Sequence, residues 1–161
     1  MSVGNRVTSD HQLARLLQIG IVLEEVVEAR AQHHTETLEE PDDEIEALLV
    51  EAAEESALHR ERLEAIVDEL DVDTIPFEEV NALVEAKYGQ TKPEDFDGVL
   101  YDQLCNEETA YKFYDDLIGA IRASDVPFSI DRDRLLETLV AIREEEADGV
   151  EAVTKIMERR E

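Results

Sequence analysis

With 161 residues, the chain is long enough to bury one core of its own and too short for two ordinary domains. Its 42 acidic residues against 15 basic ones give a formal net charge of −27 and a pI near 4.3. Such a balance repels phosphate backbones and anionic membrane surfaces, so neither nucleic-acid nor membrane binding is expected, and the single cysteine, Cys105, excludes an intrachain disulfide, a zinc ribbon and a Cys-x-x-Cys redox site.

The Thr8-Ser9-Asp10 cluster offers a short oxygen side chain to cap free backbone amides and predicts a first helix running to about His34. The polar stretch Thr35 to Asp43 closes it. Pro41 followed by Asp42, Asp43 and Glu44 marks the second helix, since proline suits a first turn and acids favour the positive end of the helix dipole; this helix is expected to reach about Leu70. A long connection follows from Asp71 to Phe96, with its own short amphipathic helix, Phe77 to Tyr88, between Pro76 and Gly89. A third helix is predicted over Asp97 to Ala123, a turn with Pro127 over Ser124 to Ile130, and a fourth helix over Asp131 to Arg159. A connection as long as the middle one can return the chain to its starting end, so the second and third helices are expected to run parallel.

Each predicted long helix carries an apolar seam at 4,3,4,3 spacing, interrupted near its middle by a glutamate or a histidine. The seams read Leu13, Leu17, Gly20, Glu24, Val27, Ala31; then Ile45, Leu49, Ala52, Ser56, His59, Leu63, Ile66, Leu70. The other two read Leu100, Leu104, Glu107, Tyr111, Tyr114, Ile118, Ile121; and Leu135, Leu139, Ile142, Glu146, Gly149, Val153, Ile156. A seam residue faces the neighbouring helices, where an unpaired carboxylate loses hydration and either shifts its pKa or destabilises the fold. Several carboxylates sharing one interior point to a cation.

Bundles that bind two iron or manganese ions draw one glutamate from each of two helices and a Glu-x-x-His pair from each of the other two. On that pattern the chain resembles the ferritin-like superfamily, and within it the rubrerythrin-type carboxylate bundles, over nearly its whole length. The resemblance implies an all-α fold, a ferritin-like four-helix bundle with one long crossover containing a short accessory helix, with residues 1–161 forming a single domain. It carries metal-ligand roles to Glu24, His59, Glu107 and Glu146, one from each helix in turn. Glu107-Glu108-Thr109-Ala110-Tyr111-Lys112-Phe113-Tyr114 is similar to the family segment in which a liganding glutamate precedes an aromatic by seven residues, and Glu54-Glu55-Ser56-Ala57-Leu58-His59 is similar to the Glu-x-x-His helix. Two positions depart from the pattern. Ser56 stands where that helix has its glutamate, and Gly149 stands where a second histidine belongs. Glu55 and Glu145, each one residue off its seam, are the additional candidates for a second metal. Tyr111 and Tyr114 are expected beside Glu107, either hydrogen-bonding the ligands from behind and carrying electrons or simply packing.

This reduced ligand set leaves the nuclearity open, because three carboxylates and one imidazole suit a single Fe(II), Mn(II) or Zn(II). The expected function is that of a metal-binding protein holding one or two ions of iron or manganese. The resemblance implies ferroxidase or peroxide-related oxidase chemistry, that of an iron-dependent oxidoreductase. With only Cys105 the chain lacks the cysteine-ligated iron module of rubrerythrins, which disfavours an electron-shuttling peroxidase. An alternative of a different class stays open: a bundle without a metal, in which His59 pairs with the same glutamates, Ser56 and Gly149 mark the decayed site, and the protein is a non-enzymatic binding or scaffolding module. A homodimer is the assembly expected by analogy. His11, His33 and His34 carry no pattern, and the last two are expected at the surface.

The acid excess reads either as a surface that concentrates cations or as adaptation to molar salt. Its even spread and the scarcity of lysine favour salt. No apolar run approaches the length of a membrane span, the first residues lack the regions of a signal peptide, and the lone cysteine suits a reducing interior, so a cytoplasmic location is expected.

Overall fold

Short polar side chains set the helix starts where the sequence places them. Ser9 accepts a hydrogen bond from the Gln12 amide and opens α1 (Asp10–Thr37). Asp42 does the same for the Ile45 amide at the start of α2 (Asp43–Leu70), which ends at Asp71 in the left-handed conformation, φ 49°. Helix α3 (Val99–Arg122) follows Gly98, and α4 (Arg132–Arg159) starts at Asp131, whose carboxylate accepts from the Asp133 and Arg134 amides. The computed structural model describes residues 6–73, 78–80, 82 and 98–160, and among them there is no strand. Residues 78–80 and 82 are helical, with Val80 buried against the main core; the rest of the accessory helix expected over Phe77 to Tyr88 lies outside the described residues.

Side-chain pairs fix the helix directions. Helix α1 meets α3 through Gly20 and Phe113, Glu24 and Tyr114, then His34 and Asp102, so the two run antiparallel. Helix α2 meets α4 through Asp42 and Arg160, His59 and Glu146, then Glu69 and Arg134, again antiparallel. Gly20 faces Leu63 while Ala31 packs with Leu49 and Ala53, which makes α1 and α2 antiparallel as well. It follows that α2 and α3 point the same way, as expected of a chain with one long crossover. The molecule is an all-helical bundle, and among the described residues no helix is long and apolar enough to cross a membrane.

The interior is divided along its length. One half is apolar: Leu13, Leu17, Leu63, Leu117, Ile121 and Leu139 are all completely buried there. At Gly20 a Cβ would lie 3.0 Å from Phe113 and 3.1 Å from Leu63, so the missing side chain lets α1 settle close to both neighbours. In the other half Ala31, Leu49 and Ala53 form a small separate apolar cluster, Val27, Ala52, Val153 and Ile156 are also buried, and buried polar groups such as His34, Asp102, Gln103 and Asn106 share the space between the helices.

Candidate metal centre

Three of the four seams point inward as spaced, and they carry Glu24, His59 and Glu146 to the boundary between the two halves. All three are buried. His59 Nδ1 lies 3.0 Å from Glu146 Oε1 and 3.4 Å from Glu24 Oε1, while Nε2 faces outward to Glu145 Oε1 at 3.3 Å. The hydroxyl of the fully buried Tyr114 donates to Glu24 Oε1 at 2.9 Å. Glu107, on α3, is buried beside this group, and its Oε1 accepts from the Gln103 amide at 2.9 Å.

Two donor triads result. Glu24, His59 and Glu146 form one, and Glu55, Glu107 and Glu146 the other; within each, the donor atoms all lie within 4.8 Å of one another. Glu146 belongs to both. Glu55, one residue before the buried Ser56, therefore reaches the interior from a half-buried position. Glu145 does not: it stays with Arg62 at 2.9 Å and touches His59 from outside.

The protonation of the cluster follows from this crowding. Burial, reinforced by the charge of Glu107, pushes the Glu55 carboxyl up to about 7. Burial likewise raises Glu107, and it raises Glu146 well above the carboxylate range with help from the charge of Glu24. The charge of Glu107 adds to the rise on Glu146. For His59, burial disfavours the imidazolium, but the hydrogen bond and charge of Glu24 and the charge of Glu55 outweigh it and hold the ring above its usual value. Burial also opposes charge on Glu145, yet Arg62 keeps that carboxyl below its normal range.

The residues present fit a metal ion by two observations. The buried oxygens Glu24 Oε2 and Glu107 Oε2 have no hydrogen-bond partner, and an orphaned carboxylate oxygen in an apolar surrounding costs roughly 1–3 kcal/mol or more. The donor chemistry, oxygen-rich with one imidazole, suits Fe(II) and Mn(II). The chain matches no protein-family model, and no curated protein and no solved structure matches it.

Several expectations need correction. Tyr111 is exposed, so of the two tyrosines only Tyr114 reaches a ligand candidate. The first half of the third seam is out of phase: Leu100 and Leu104 are only half-buried, while Asp102, Gln103, Asn106 and Glu107 form the buried face of α3. His34, expected at the surface, is buried, with Nε2 2.6 Å from Asp102 Oδ2. Asn106 and Arg30 complete that second polar group, their side chains 3.2 Å apart. Gly149 marks no simple vacancy, because the Glu107 carboxylate lies over it, and a Cβ there would stand 2.5 Å from Glu107 Oε2.

Proposed function

We propose that this bundle binds two divalent transition-metal ions, iron or manganese, in a ferritin-like arrangement. One ion is held by Glu24, His59 and Glu146, the other by Glu55, Glu107 and Glu146. The observation that carries the reading is the position of Glu146, a buried carboxylate common to two donor triads. Glu55 compensates for Ser56 in this reading, and two ions replace the single-ion site that the sequence pattern alone left open. Iron bound here would supply redox chemistry toward dioxygen or peroxide, the activity implied by the family resemblance. The chain's own residues hold the site: Tyr114 fixes Glu24, Gln103 fixes Glu107, and the apolar half closes the site on one side. The acid surface and the single cysteine suit a salt-rich, reducing cytoplasm, with a homodimer as the assembly expected by analogy.

The metal-free alternative draws support from His59, which has a carboxylate partner at each ring nitrogen. It leaves Glu24 Oε2 and Glu107 Oε2 without any partner, and so accounts for less of the interior. The test is metal content by mass spectrometry after loading with Fe(II) under argon and removal of loosely held ions. Two ions per chain, falling to one or none in Glu146→Ala, is the expected result. A wild-type chain without metal would overturn the proposal and leave the polar network as the role of these residues.

A further inference from the structure

The two donor triads differ in their access to water. Glu24, His59 and Glu146 are sealed, with at most 3% of their surface exposed. Glu107, by contrast, forms part of the wall of a pocket of about 90 Å³ that opens between α2 and α4, where Glu51, Glu55, Asp148 and Gly149 also line it. That volume is several times what a single water molecule requires. No basic side chain lines the pocket, and Glu51 and Asp148 at its rim are exposed.

Two features of this pocket point inward to a ligand. Glu107 is buried to more than nine-tenths, its Oε1 is tied back by Gln103, and its Oε2 has no partner. Gly149 sits directly against that carboxylate, and any side chain there would displace it, the Cβ position lying 2.7 Å from Glu107 Cδ. Glycine in the middle of a helix lowers stability by about 0.5–1 kcal/mol relative to alanine, so its presence in α4 needs a local reason. Room for the Glu107 carboxylate is that reason.

Resting on the two-ion reading above, we propose that the Gly149 pocket is the mouth through which divalent cations reach the centre, and that the two positions are consequently unequal. The outer position, Glu55 with Glu107 and Glu146, exchanges its ion with solvent, while the inner position, with His59, fills by way of it and releases its ion slowly. Glu51 and Asp148 attract the hydrated cation and take over from part of its water shell. Gly149 is thus a positioning residue: it decides whether Glu107 can stand at the mouth.

The test uses Mn(II) as the probe on the full chain, following uptake by the free-ion signal in electron paramagnetic resonance and release into excess chelator. The wild type should release one ion quickly and one slowly. Gly149→Ala should lose the quick ion and load the slow one more slowly than the wild type, while an unchanged helical circular dichroism spectrum reports that the bundle has folded. The double substitution Glu51→Gln and Asp148→Asn touches only exposed side chains and leaves the donors in place; it should slow Mn(II) uptake by about tenfold or more, the range expected when an electrostatic funnel is removed. Release of both wild-type ions at one rate, or uptake by the double variant as fast as the wild type, overturns the mouth while leaving the metal centre intact. A wild type that takes up no Mn(II) and no Fe(II) refutes the metal centre itself.

Discussion

Glu55→Gln should stabilise the metal-free protein and weaken the metal-loaded one, a reversal that few other roles for this residue would produce. The Glu55 carboxyl is raised from 4.5 to about 7 by burial and by its acidic neighbours. A carboxyl whose folded-state pKa exceeds its unfolded one supports the fold below pH 4.5 and loses that support as the pH rises through about 7. The full difference corresponds to about 3 kcal/mol, at about 1.4 kcal/mol for each tenfold change in proton affinity. Its side chain is 29% exposed, so screening by water reduces the expected effect to about 2 kcal/mol. Glutamine keeps the shape and cannot ionise. In a chelator, thermal melts of the variant and the wild type should differ little near about pH 5, by about a quarter of the full effect, and diverge toward about pH 8, where the variant melts higher by about 4–8 °C. Starting near pH 5 keeps the protein clear of its pI of 4.3. With saturating Mn(II) the order should invert, because the variant has lost an anionic donor. Parallel melting curves for the two proteins across this range in chelator would refute the burial argument for Glu55.

Tyr114→Phe removes the hydroxyl that supports Glu24 and should cost about 1–3 kcal/mol in urea denaturation, with Mn(II) affinity falling by about 10–100-fold in calorimetry. His34→Ala leaves Asp102 buried without its nearest partner; a loss of about 3–5 kcal/mol is expected, with the metal stoichiometry unchanged since this pair stands outside both triads. Raising KCl from about 0.1 M to about 1 M shortens the screening distance from about 10 Å to about 3 Å, and the melting temperature should rise throughout, because the net charge of −27 repels itself in the folded state; a flat curve would remove the case for salt adaptation.

The helix starts were legible in the sequence because their signals are local: Ser9 caps the first helix from within the polar cluster that predicted it, Asp42 caps the second just after Pro41, and Asp131 caps the fourth directly after the turn that holds Pro127. Three seams were legible because apolar residues mark the buried face of α1, α2 and α4. The third misled over its first half for the opposite reason. Asp102, Gln103 and Asn106 are buried, so the apolar spacing of this segment follows Leu100, Leu104 and Tyr111 on its wetter side, and only Glu107, Tyr114 and the residues after them lie on both faces. His34 stayed hidden because its partner lies 68 residues away and is itself polar, leaving no periodic trace. Gly149 showed the limit of reading a gap. A family pattern treats it as a missing ligand, whereas the space it leaves is filled by a carboxylate from another helix.

The division of the interior into an apolar and a polar half also sets where the molecule opens first. Amide protons in Leu13–Leu23 of α1 and Leu117–Ile121 of α3 belong to the large apolar cluster and should exchange with solvent only on global unfolding. Those near His34, Asp102 and the far ends of α2 and α4 are secured mainly by polar contacts and exposed ion pairs such as Arg159 with Glu44, which contribute little. That end should breathe independently, on a timescale faster than global unfolding. Two cations, one on Glu24, His59 and Glu146 and the other on Glu55, Glu107 and Glu146, would together join all four helices at the border between the two regions. Their signature in hydrogen exchange would be local: slower exchange in the breathing half, with the apolar half already at its ceiling.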